Sequence, residues 1–169
     1  MFATSYDYNR NAQITKEFYA KVQNKLHYAV AGLTAPEIIY ERADSKKEHI
    51  GLTTWSRAPD WKILLRDAKV AKNYLIEKEL KTLNRVVSMY LDNAEEGAER
   101  QIPMSMKDWA ESLDKFLEFY EYEVLKGNIS RKEVDDFVKL EYEKFRPVQD
   151  KLFKSDYNKF DEETKKFLV

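Results

Sequence analysis

The stretch Ser105–Val124, SMKDWAESLDKFLEFYEYEV, decides the fold class. Trp109, Leu113, Phe116, Leu117, Tyr120 and Val124 recur at intervals of three and four, the spacing that stacks side chains on one face of an α-helix. A half-buried strand would alternate apolar and polar residues instead, and this stretch does not. Ser105-Met106-Lys107-Asp108 opens the helix, Gly127-Asn128 is placed to close it, and the aromatic stripe reads as core.

The same period extends in both directions. Ile14, Phe18, Val22, Leu26, Ala29 and Val30 form a first apolar face that stops at Gly32. Thr34-Ala35-Pro36-Glu37 is a capping box with proline in the turn that needs no amide donor, and it starts a short helix through about Ala43. Residues 44–66 lack a period yet carry Trp55, Trp61, Ile50, Leu52, Ile63, Leu64 and Leu65, so a packed loop is expected, with Trp55 inside. Asp67 is placed to cap a stretch holding Val70, Ala71, Tyr74 and Leu75. A longer helix with Leu80, Leu83, Val87, Leu91 and Ala94 follows and frays near Gly97. Ser130-Arg131-Lys132-Glu133 is a further capping box, and its helix turns Val134, Phe137, Val138 and Phe145 inward until Pro147 ends or kinks it. The expected architecture is all-α: one compact domain of about six or seven helices with a long packed loop, residues 1–155, then a weakly held helix or frayed tail at 156–169.

Composition agrees. Of 169 residues, 35% are charged, against about 25% in an average domain, and glycine plus proline contribute only eight positions, which suits long helices laced with ion pairs. Twenty-nine basic and thirty acidic residues leave a net charge of −1, so no global field draws the chain to nucleic acid or an anionic membrane. With no cysteine, disulfides, thiolate nucleophiles and sulfur-based zinc sites are excluded. The start, Met1-Phe2-Ala3-Thr4-Ser5, lacks the blocks of a signal peptide, and no apolar run approaches the roughly 20 residues that cross a bilayer. A cytoplasmic protein is expected.

No spacing matches a self-sufficient catalytic, metal or phosphate-binding motif. Asn24 and His27 lie one turn apart on the first helix, and Glu37, Arg42 and Asp44 follow across the Gly32 turn. Convergence would put an imidazole beside a carboxylate, with an arginine to hold an anion. The structural alternative packs His27 against Tyr28 and Tyr40 and pairs Arg42 with Asp44 on the surface. Lys69, Lys72, Asn73, Tyr74, Asn84 and Arg85 form a second polar cluster: lysines with an exposed tyrosine grip a phosphate backbone and stack a base, or else the group is a solvated face. His49 reads as solvated. Asp92, Glu95 and Glu96 read as a solvated charge run, with no metal ligands assigned.

Several stretches, in order, resemble the C-terminal half of the RhuM family of bacterial virulence-associated proteins. They are Phe2–Asn9 (FATSYDYN), Val22–Ala29 (VQNKLHYA), Thr34–Asp44 (TAPEIIYERAD), Gly51–Trp55 (GLTTW), Ala71–Leu75 (AKNYL), Leu83–Val87 (LNRVV) and Glu141–Arg146 (EYEKFR). The resemblance covers about residues 2–155 and departs at Asp60-Trp61-Lys62 and Ile76. It implies an N-terminal half similar to a DNA-binding module, absent here, mobile or pathogenicity-linked DNA as the genetic setting, and an effector or interaction role for this region. Some relatives carry a Fic-type domain in its place. The Fic motif His-x-Phe-x-x-Gly-Asn-Gly-Arg is matched by His27–Gly32 only at the histidine and the first glycine, so nucleotide transfer is not implied.

Two functions follow as expectations. In the first, a helical module binds a protein partner or small ligand through Asn24, Asp44, Lys72, Asn73 and Arg85, and governs an attached nucleic-acid-binding half. In the second, a toxin- or effector-type enzyme acts on phosphodiester or nucleotide substrates through His27, Glu37 and Arg42. No cofactor is named by the sequence.

Overall fold

A computed structural model describes residues 5–9, 13–123 and 131–167. Its helices are α1 (Gln13–Ala31), α2 (Ala35–Arg42), α3 (Leu65–Ala68), α4 (Glu77–Glu99), α5 (Met106–Phe119), α6 (Arg131–Leu152) and α7 (Asp156–Phe167). Short 3-10 turns span Glu48–Gly51 and Ala71–Tyr74, and no strand occurs among the described residues. The fold is all-α.

Two apolar clusters meet along α1. Ile38, Ile50, Ile63, Leu75, Val138 and Phe145 form one between α2, the 44–66 segment and α6. Val22, Val86, Tyr90, Leu113, Phe116 and Leu117 form the other between α1, α4 and α5. Leu26 and Val30 of α1 pack against both. A Lys25–Asp114 ion pair at 2.6 Å ties α1 to α5.

The Thr34 and Ser105 capping signals form as expected. Glu37 Oε2 accepts from the Thr34 amide and hydroxyl, each at 2.7 Å, while Asp108 Oδ2 accepts from the Ser105 amide at 2.8 Å and its hydroxyl at 2.7 Å. The 44–66 segment is packed: Trp55 is buried and donates its indole N–H to the Trp61 carbonyl at 2.7 Å. Gln149 of α6 holds the same segment, accepting from the Ile63 amide at 2.6 Å and donating to its carbonyl at 3.1 Å.

Helix ends depart from expectation. α4 continues through Gly97 to Glu99, and α5 ends at Phe119, short of Gly127-Asn128, which lie outside the described residues together with Val124 and Ser130. Both ends are closed by side-chain-bearing residues at positive φ, Gln101 (55°) and Glu121 (59°). The Gln101 and Ile102 amides donate to Ala98 and Gly97, and the Glu121 and Tyr122 amides to Glu118 and Leu117, the paired bonds of a Schellman motif. Asp67 is not an N-cap but a third-position residue, whose carboxylate accepts from the Leu64 amide at 2.9 Å. Pro147 does not end α6, because tertiary contacts on both sides hold the helix: Phe145 is buried before it and Gln149 is bonded to Ile63 after it.

Candidate functional site

A cleft of about 630 Å³ opens between α1, α2, the Lys69–Lys72 segment and the start of α6. Ala20, Lys21, Asn24 and His27 line it from α1, one helical face, while Pro36 and Ile39 come from α2 and Val134 and Asp135 from α6. Lys69, Val70, Ala71 and Lys72 complete the wall. The body of the cleft is therefore apolar, with lysines and a few hydrogen-bonding groups around it, the usual make-up of a small-molecule site.

His27 is the unusual group. It is 9% exposed, and its Nδ1 lies 2.7 Å from the Gln23 carbonyl oxygen. A carbonyl only accepts, so Nδ1 carries the proton and Nε2 presents a lone pair. Nε2 is closed to solvent and has no partner among the described residues. Burial pushes the imidazole pKa below its ordinary value, the Gln23 carbonyl opposes this, and the nearby Lys72 ammonium lowers it further. The site thus holds a neutral histidine whose acceptor is unsatisfied, a state that costs free energy unless something donates to it.

The other polar groups have defined roles. Asn24 Oδ1 accepts from the Ala35 amide at 3.3 Å, which positions the side chain at the entry to α2. Lys69 approaches Asp135 at 3.9 Å, whereas Lys21 and Lys72, both exposed at the cleft, form no ion pair with a described residue.

The expected convergence of Asn24, His27, Glu37 and Arg42 is met by Asn24 and His27. Glu37 is committed to the Thr34 capping box, and Arg42 binds both oxygens of Glu79 and the Tyr74 carbonyl. Asp44 accepts from the Lys46 amide at 2.9 Å, so it forms a local turn and no pair with Arg42. Asn73 donates to the Asp67 carbonyl at 2.9 Å, and Arg85 is exposed on α4 away from the cleft lining. Tyr74 is 1% exposed and donates to the Ala68 carbonyl at 2.8 Å, which removes it as a platform for a base. Sequence spacing treated Lys72 and His27 as members of separate clusters; the fold joins them. Lys21 and Asp135 were missed, and Asp135 carries no local signal because only the docking of α6 brings it there.

A second cleft of about 370 Å³ lies between the 45–63 segment and the end of α6, lined by Trp55, Trp61, Phe145 and Phe153. The His49 ring is exposed and rests one face on Trp55, with centroids 4.6 Å apart. Among the described residues there is no group of three or more potential metal ligands, and no helix is long and apolar enough to cross a membrane.

Fold and cleft together define an all-helical domain with an interhelical pocket of mixed apolar and basic character. The chain belongs to the Virulence protein RhuM family, whose pattern matches residues 1–154. No curated protein and no solved structure matches it.

Proposed function

We propose that this chain is a ligand-binding module that takes a small anion into the α1–α2–α6 cleft and, in the intact protein, passes that state to an attached nucleic-acid-binding half in the cytoplasm. One observation carries the reading: His27, whose buried Nε2 has no partner among the described residues, lines a cleft where two exposed lysines in no ion pair, Lys21 and Lys72, outnumber the one carboxylate in none, Glu17. Lysine ammonium groups attract a phosphate or carboxylate as point charges, and the apolar wall from Pro36, Ile39 and Val134 accepts the body of the ligand.

The catalytic alternative lacks comparable support. Its anion clamp, Arg42, is bidentate to Glu79, and its carboxylate, Glu37, is bonded twice to Thr34. The test is a titration of the full chain with inorganic phosphate, followed through the imidazole nitrogen signals. The chain has two histidines, so His49 is an internal control. Saturable movement of the His27 signals, weakened by Lys72→Gln, is the expected result. No movement at millimolar phosphate would remove the reading.

A further inference from the structure

The second cleft, between the 45–63 segment and the end of α6, differs from the first in lining and in charge. Its walls carry Trp55, Trp61, Phe145, Phe153, Val148 and Leu152. Trp61, Val148 and Leu152 are exposed, so a concave part of the surface presents apolar area whose contact with water is unfavourable. Of the charged side chains lining the cleft among the described residues, Lys62 is paired with Asp150 at 2.7 Å, which leaves Lys46 and Lys47 against Glu48 and Asp60. Those fixed charges balance, and the cleft has no excess of either sign with which to attract an ion.

Its rings are held in place by the protein itself. Trp55 donates its indole N–H to the Trp61 carbonyl at 2.7 Å, and the Trp61 and Phe153 rings meet edge to face with centroids 5.6 Å apart. The Arg57 guanidinium lies 5.3 Å from the Trp61 ring centroid, and the Lys62 ammonium lies 4.9 Å from that of Phe153. A rigid set of rings spares a ligand the cost of ordering them. The turn that forms one side of the cleft is strained: His49 (φ 53°) and the buried Ile50 (φ 56°) both lie in the left-handed region. A β-branched residue there is rare, and such strain concentrates at functional sites. Here it accompanies an exposed imidazole laid on Trp55 at 4.6 Å in the cleft wall.

We propose that this cleft is a second binding site, which takes a small, neutral, planar aromatic molecule. At about 370 Å³ it falls in the lower part of the roughly 300–1,000 Å³ range of small-molecule pockets, which suits a compact ligand of one or two fused rings. Aromatic rings pair edge to face or offset at roughly 4.5–7 Å, so a planar ligand gains from the Trp61, Phe153 and His49 rings beyond the apolar area it buries. Balanced charge favours the neutral form of such a ligand over its carboxylate. Neither His27 nor Lys72 lines this cleft, so the site stands apart from the anion cleft and does not depend on that reading.

The experiment titrates the full chain with quinoline, a neutral two-ring compound at neutral pH, and follows the indole N–H signals of its three tryptophans. Saturable movement of the Trp61 and Trp55 signals at millimolar quinoline is expected, while Trp109, buried in the other apolar cluster, stays still as a control. Trp61→Leu keeps apolar surface and the carbonyl that Trp55 uses but removes the exposed ring. It is expected to weaken binding at least roughly ten-fold, read from the Trp55 signal. Quinoline-2-carboxylate is expected to bind no tighter than quinoline, and millimolar inorganic phosphate to leave the quinoline titration unchanged. No movement, or unsaturated movement of all three signals together, overturns the site. Undiminished binding in a folded Trp61→Leu variant overturns recognition by the rings, and tighter binding of the carboxylate overturns the preference for a neutral ligand. Competition by phosphate would place quinoline in the first cleft. A Trp61 signal that moves on dilution of the chain alone would show a second copy filling the cleft; either result overturns the proposal.

Discussion

Arg42 and Glu79 face each other in a two-pronged pair, Nη1 to Oε2 at 2.6 Å and Nη2 to Oε1 at 2.7 Å, across 37 positions of sequence. The same arginine donates to the Tyr74 carbonyl at 2.9 Å, and Glu79 also accepts from the Ile76 amide at 3.0 Å. The pair therefore ties the end of α2 to the Ala71–Tyr74 turn and to the start of α4. That junction fixes the segment from which Lys72 reaches the cleft.

Breaking this pair should cost stability and not only charge. Both side chains are largely shielded, at 25% and 15% exposure, so removing one strands the other. Arg42→Ala or Glu79→Gln is expected to lower unfolding free energy by roughly 1–3 kcal/mol, read from urea midpoints. Arg42→Lys should not restore it, because an ammonium cannot form the fork. The Arg42 hydrogen bonds hold the Glu79 carboxyl below its ordinary pKa, helped by the Ile76 amide and opposed by burial. The associated stability is present above about pH 4.5 and is lost as pH falls through the depressed native value.

His27 acts in a different window. Burial lowers its native pKa, so as pH falls through about 6.5 the unfolded chain takes a proton that the native state refuses. Stability should decrease over that window in the wild type. His27→Gln should flatten the slope between about pH 7.5 and 5.5, since glutamine does not titrate there. An unchanged slope would show that native His27 takes up its proton as readily as the unfolded chain does.

Two glycines at positive φ should respond very differently to alanine. At Gly32 (φ 68°) no atom lies near an added Cβ, so Gly32→Ala meets only backbone strain, about 1–2 kcal/mol. At Gly51 (φ 86°) an added Cβ would overlap the Arg42 carbonyl oxygen. The preceding residues His49 and Ile50 are also at positive φ, and Ile50 is fully buried, so the turn cannot shift cheaply. Gly51→Ala should exceed about 3 kcal/mol, measured by the same denaturation series.

Gln101 and Glu121 occupy left-handed positions that glycine usually fills at helix ends. Gln101→Gly and Glu121→Gly should each raise stability by about 0.5–1 kcal/mol, as cap optimisation commonly does. Destabilisation by either would mean that its side chain contributes a contact worth more than the backbone strain.

The helical class was legible from residue order, because the period of three to four and the capping chemistry of Thr34–Glu37 and Ser105–Asp108 are local properties, set by neighbours within one turn. The start of the first helix's face and its stop before Gly32 were read for the same reason. Helix ends at Gln101 and Glu121 were not legible: a left-handed residue without glycine leaves no mark in composition, and the paired backbone hydrogen bonds that accompany the strain are seen only in the structure. The candidate site divided along the same line. Asn24 and His27 share a helical face by spacing alone, so their meeting was predictable. Whether Arg42 would join them depended on a competitor, Glu79, in another helix, and a partly buried carboxylate at hydrogen-bonding distance outweighs an open cleft. Lys72 and Asp135 reach the cleft because the Ala71–Tyr74 turn and α6 both dock on α2. Such long-range contacts depend on the combined burial of both apolar clusters, which no short stretch of sequence encodes.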